Sequence, residues 1–202
     1  MLNLIRKEIV LQKKTLMIML PLLFVFLFEG ISSIWIGVIF CIPLIMQSFS
    51  IEERSSIQLL LNSLPYTRKE IVSSKYLGAF VFTFFILTTI SIGNLIIYGE
   101  ITQWKQLLFI FCSVALFISF AFPFSYQFKS QYIMTAFAIL FVLYLIVINK
   151  FISNLNDRLR EGVRIVLSYD NTLLYAGVLL TVVVLSFFSW MLSIRIYSRK
   201  VL

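Results

Sequence analysis

Tyr76-Leu-Gly-Ala-Phe-Val-Phe-Thr-Phe-Phe-Ile-Leu-Thr-Thr-Ile-Ser-Ile-Gly-Asn-Leu-Ile-Ile-Tyr-Gly99 contains no Asp, Glu, Lys or Arg. A helix needs about 20 apolar residues to cross a hydrocarbon layer about 30 Å thick, so this stretch alone can span a membrane. Five more uncharged runs accompany it: Thr15 to Phe28, Gly30 to Ile51, Gln106 to Phe128, Ser130 to Asn149 and Asn171 to Ile194. The first is short, and the others reach spanning length. Hydrophobic residues make up 60% of the chain and mean hydropathy is +0.99, more apolar surface than a soluble fold could hide. Strings such as Leu140-Phe-Val-Leu-Tyr-Leu-Ile-Val147 are apolar on every face, without the alternation of a barrel strand. The expected fold is all-α, a polytopic membrane protein with six transmembrane helices in a single domain covering 1–202.

Charge sets the expected orientation. With six crossings, the tails and even-numbered loops share one side, which collects 12 of the 17 Lys and Arg residues; the other side holds Lys105, Lys150, Arg158, Arg160 and Arg164. Basic residues mark the cytoplasmic side, so both termini are expected there. A tight turn at Glu29-Gly30 separates the first two spans, because merging them would put Glu29 at mid-bilayer. Pro21, Pro43 and Pro123 fall inside runs, where a surrounding bundle tolerates kinks. Ahead of the first span, Leu2, Ile5 and Ile9 share one helical face while Arg6, Lys13, Lys7 and Lys14 occupy another. Residues 1–14 therefore read either as an interfacial helix on the cytoplasmic surface or as an unstructured basic tag. The apolar stretch that follows has no convincing small-residue cleavage site, so it is expected to be retained.

Composition also excludes chemistry. The net charge of +8 lies beside apolar spans and not in a separate basic domain, so nucleic acid is not an expected partner. Histidine is absent, and Cys41 and Cys112 fall within apolar runs as packing residues. None of the seven glycines belongs to a phosphate-cradling loop followed by Lys and Ser or Thr, so no ATP, magnesium or other cofactor is expected on this chain. The runs hold no ionisable group that could couple transport to an ion or act as acid or base. Away from the ends of the runs, the amide side chains are Gln47 and Asn94, read as interhelical hydrogen-bonding groups or as lining for a translocation route.

The most definite local design lies between the second and third of the six runs, in the segment 52–75. Ile57, Leu60, Leu61 and Leu64 recur at i, i+3, i+4 and i+7, one stripe of a short amphipathic helix that Pro65 ends. Thr67-Arg-Lys-Glu70 fits a capping box that starts a second helix leading into the third span. By spacing alone this is a lever for docking another protein or an amphipathic loop resting on headgroups. On the other side, 149–171 places Phe151, Leu155, Leu159 and Val163 at four-residue spacing among Asp157, Arg158, Arg160 and Glu161. It is expected to form an external amphipathic helix.

Glu52-Glu53 and the later Ser63-Leu64-Pro65, Arg68, Ile71-Val72 and Lys75-Tyr76 resemble a pattern of small bacterial type-2 ATP-binding-cassette (ABC) transporter permeases: an acidic residue after the second span, then Ser-Leu-Pro-x-x-Arg-x-x-Ile-Val-x-x-Lys-Tyr. Length and six-span layout are similar too. Phe122-Pro-Phe-Ser-Tyr-Gln-Phe-Lys129 is a poorer match, lacking the Gly that follows in relatives. The resemblance implies a permease subunit in the bacterial cell membrane, paired with a second permease, identical or homologous, and driven by two copies of a soluble ABC ATPase that binds ATP and magnesium. It assigns ATPase coupling to Glu52, Glu53, Ile57, Leu60, Leu61, Ser63, Leu64, Pro65, Arg68, Lys69 and Glu70. Some such permeases export phenol-soluble modulins or confer resistance to peptide antibiotics, so amphipathic peptide, antibiotic or lipid-like cargo is the expectation. External helices before the sixth span cap the path in that family. The alternatives are a non-transporting scaffold or sensor that anchors a cytoplasmic partner, and a channel.

Overall fold

The computed structural model describes residues 2–54, 66–128, 155–169 and 171–199, together with 132, 135, 136, 139, 142, 143 and 146. All regular structure among them is helical. The elements are α1 (Leu2–Phe28), α2 (Ser33–Arg54), α3 (Arg68–Tyr98), α4 (Trp104–Gln127), α5 (Leu155–Ser168) and α6 (Thr172–Arg199). All but α5 are long and apolar enough to cross a membrane. The isolated described residues between 132 and 146 are helical. Most of the remaining expected span, Ser130 to Asn149, lies outside the described residues.

Each long helix begins and ends for a local reason. Gly30 takes φ 72°, a left-handed conformation that suits glycine, and its N–H donates to the Leu27 carbonyl at 3.1 Å. This produces the turn read at Glu29-Gly30 and lets α2 run back along α1. At the start of α3 the capping box is complete: the Glu70 N–H donates to Thr67 Oγ1 at 3.3 Å, and the Thr67 N–H donates to Glu70 Oε2 at 2.9 Å. Gly99, at φ 67°, closes the other end of α3. Pro21, Pro43 and Pro123 lie inside α1, α2 and α4, which continue through them.

No break separates residues 2–14 from the first run. From Leu2 onward they belong to the same helix, and Leu4, Glu8 and Gln12, one turn apart, are buried against the bundle. The same face continues through Leu23 and Leu27. Leu27 seats over Gly93 of α3, where a Cβ would stand only 2.6 Å from its Cδ1. Tyr98 closes this end by donating to the Leu27 carbonyl at 2.6 Å. Between lipid tails, small residues and interhelical hydrogen bonds hold helices together, since burying apolar surface from lipid gains little.

The seam on α6 follows that rule. Its buried residues, Tyr175, Val182, Ser189, Ser193 and Tyr197, fall at steps of seven and four along one face. Tyr76 on α3 places its hydroxyl 2.7 Å from Ser189 Oγ and 2.8 Å from Ser193 Oγ. Trp190 Nε1 donates to Ser73 Oγ at 3.0 Å, and Ser186 pairs with Ser119 of α4 at 3.0 Å. The rest of α6, including Leu173, Leu180 and Phe188, is exposed and apolar, as a lipid-facing surface requires.

Candidate functional site

Charged residues at the two ends of the 52–75 segment meet inside the bundle. Glu52 closes the spanning part of α2 and Lys75 lies two turns into α3; Lys75 Nζ is 3.1 Å from Glu52 Oε2 and 3.1 Å from Glu8 Oε2 on α1. Lys7 completes the group, bonding to Glu52 Oε1 and standing 3.0 Å from Glu8 Oε1. That last contact is close enough for charge attraction but lies outside hydrogen-bond geometry. Ser48 donates to Glu8 Oε2 at 2.8 Å and its hydroxyl accepts from Lys75, whose ammonium also reaches the Ser48 carbonyl at 3.2 Å. The ring of Phe49 lies 5.0 Å from the ammonium.

The cluster has two positive and two negative charges, so it is neutral as a whole. Side-chain exposure is 2% for Lys75, 2% for Glu8, 7% for Glu52 and 21% for Lys7, so three members are buried and solvent reaches the cluster from the Lys7 side. Buried charges persist only when paired and hydrogen-bonded, and each of these is. Removing any one member leaves its partners uncompensated. The arrangement therefore locks the register of α1, α2 and α3 at this end.

Other coupling candidates lie close to it. Arg68 donates through Nη1 to the Tyr197 carbonyl at 3.0 Å and the Ser198 carbonyl at 2.8 Å, neutralising the free carbonyls at the end of α6. Lys69 sits 5.5 Å over the Trp190 ring, and Glu70 serves the capping box. Arg68 thus binds the start of α3 to α6 just as Lys75 binds it to α1 and α2. Glu53 is helical in backbone, but its side chain lies outside the described residues. Ile57, Leu60, Leu61, Ser63, Leu64 and Pro65 also lie outside them. Residues near both ends of the chain, Lys7 and Ser198, sit at this same end of the bundle.

The opposite end has its own fastening. Asn94 uses both amide protons, donating to Ser33 Oγ and to Thr102 Oγ1 at 2.8 Å each. Gln47 is half-buried on α2. The amphipathic segment read at 149–171 supplies α5, which packs Val163 and Leu167 against the core while Leu159 is exposed. Tyr175 donates to the Val166 carbonyl at 3.0 Å and holds the helix in place. A cleft of about 710 Å³ opens between α5 and the α1–α2 turn, lined by Trp35, Asp157, Arg160 and Arg164 among others.

Sequence reading took Lys7 and Lys75 as topology signals and missed their partnership with Glu8 and Glu52. A signal was present. Leu4, Glu8 and Gln12 share one helical face, and Glu8 is an acid in a strongly basic flank, where a purely topological tag needs none.

Long apolar helices, with a charge cluster at one end and polar fasteners at the other, define a multi-pass cell-membrane protein. Among the described residues no group of His, Cys, Asp and Glu is placed to hold a metal. The chain matches the sequence profile of the ABC-2 family transporter proteins over residues 3–198, and it belongs to that family. It is thus the permease component of an ABC transporter, a membrane subunit distinct from the one that binds ATP. No curated protein and no solved structure matches the chain.

Proposed function

We propose that the chain forms the translocation route of an exporter for amphipathic peptide, antibiotic or lipid-like cargo, moved by a separate ABC ATPase that docks on the segment 52–75. The observation carrying this reading is the pinning of that segment at both ends. Glu52 and Lys75 tie it to α1, α2 and α3, and Arg68 ties it to α6, so a push on the segment reaches four helices at once. The end that carries the cluster, where Lys7 and Ser198 also sit, is cytoplasmic. Two ATPase subunits, binding ATP and magnesium, clamp beneath two permeases. Ile57, Leu60, Leu61 and Leu64 supply the apolar contact, and Gln47 contributes polarity to the route.

Support for amphipathic cargo comes from a cleft of about 530 Å³ between α3, α4 and α6. Its walls include Phe80, Phe111, Phe187 and Trp190, with hydroxyls from Ser73 and Ser186. Such a surface suits an acyl chain or an apolar helix face carrying a few hydrogen-bonding groups.

The test is biochemical. Purified alone, the chain should hydrolyse no ATP; expressed with the soluble ABC ATPase of its own source, it should co-purify as a complex whose turnover requires magnesium. Failure of the two to associate would refute the reading.

A further inference from the structure

Helix α5 carries five charged residues, and four of them, Asp157, Arg160, Glu161 and Arg164, line the cleft of about 710 Å³ that separates it from the α1–α2 turn. An inert interfacial helix turns its charges to open water. Here they border a cavity whose other walls include Ser32 and Trp35 beside the turn and Gln106 on α4. Asp157 and Glu161 form one i,i+4 column and Arg160 and Arg164 another, so each column repels itself. Opposite charges stand three residues apart, Asp157 with Arg160 and Glu161 with Arg164. Yet among the described residues none of the four is ion-paired or hydrogen-bonded through its side chain.

The cleft lies at the end of the bundle opposite the buried charge cluster, at the depth of a membrane interface. Close by, the rings of Trp104 and Tyr175 meet edge-on at 5.5 Å with Lys105 near both, the residue types that gather at headgroup level. On α5 itself Leu159, Ile165 and Val166 are exposed, which suits a helix set between headgroups and acyl chains.

We propose that this cleft binds the headgroup of an aminophospholipid from the leaflet at this end of the bundle. The phosphate sits between Arg160 and Arg164, whose planar guanidiniums match its oxygens, and the ammonium sits against Asp157 and Glu161. Trp35 offers a ring to the same cation. Ile31, Ile34, Val163 and Leu167 supply apolar lining for the glycerol and the upper acyl chains. Two positive and two negative side chains make the charged lining neutral, so a headgroup carrying both signs satisfies all four. An anionic headgroup without an amine leaves the two acids facing its phosphate. The bound lipid relieves the repulsion within each column and fastens α5 to the α1–α2 turn. This site is independent of the docking of an ATPase.

Native mass spectrometry of the intact chain tests the proposal, with phosphatidylethanolamine and phosphatidylglycerol of identical acyl chains titrated separately. Wild type should hold one phosphatidylethanolamine about tenfold more tightly than phosphatidylglycerol, the scale of one hydrogen bond to a charged group. Arg160→Gln with Arg164→Gln should weaken phosphatidylethanolamine binding at least about tenfold and erase the preference. Asp157→Asn with Glu161→Gln should reverse the preference, because two arginines alone favour net negative charge. Soluble phosphoethanolamine, which lacks acyl chains, should compete only weakly. Equal binding of the two lipids by wild type, or a preference that either double variant leaves unchanged, would overturn the proposal. Competition by phosphoethanolamine at the strength of the intact lipid would overturn it too, by making a soluble compound the ligand.

Discussion

Lys75→Ala should lower the melting temperature of the purified protein by about 10 °C, or prevent its recovery from membranes altogether. Lys75 is one of two cations facing two buried carboxylates, with Glu8 and Glu52 each 3.1 Å from its ammonium. Deleting it leaves two acids sharing Lys7, and breaking a buried pair in this way costs about 3–5 kcal/mol. For a chain of this length each kcal/mol shifts melting by about 2–4 °C. Removing one charge of each sign, as in Lys75→Met with Glu8→Gln, should restore at least half of the loss, since neutrality returns. An exposed ion pair would be worth about 0–1 kcal/mol, so a shift of only a degree or two would show that the cluster is open to solvent.

Leu60→Asp combined with Leu61→Asp should abolish association with the ATPase while leaving insertion and melting unchanged. Each leucine buried at a docking surface contributes about 1.5–3 kcal/mol. Losing two of them weakens binding by about a thousandfold, even before the added carboxylates are desolvated. Association at wild-type strength would remove the leucine stripe from the docking surface. The two variants act on different parts of the proposed coupling path, Lys75→Ala on the buried charge cluster and the leucine pair on the surface proposed to meet the ATPase.

The spanning helices, the turn at Gly30 and the capping box at Thr67 and Glu70 were legible in the sequence because each depends on local composition. A charge-free window, a glycine beside a helix end and a Thr-x-x-Glu spacing carry their physics within a few residues. Recognition of the Glu52 to Tyr76 pattern likewise needed only contiguous text, and the family match is consistent with it. What the sequence hid was pairing between helices. Windows defined by absence of charge end at Lys14, Glu52 and Lys75 by construction, so the groups that lock the bundle fell at their margins. The helices themselves ignore those margins, since α1 starts at Leu2 and α3 at Arg68. The serine hydroxyls that hold Tyr76 and Trp190 were equally silent, because a serine in an apolar run gives no hint of which neighbour it will face.

A single cysteine at position 60 tests the central claim most directly, in a chain whose own buried Cys41 and Cys112 have been changed to Ser. The reagent is a membrane-impermeant maleimide, applied to intact cells and to inside-out vesicles, with and without the co-expressed ATPase. Labelling should occur only in inside-out vesicles and should disappear when the ATPase is present. Labelling from outside intact cells, or labelling that the ATPase leaves unchanged, would contradict a permease driven through its cytoplasmic segment.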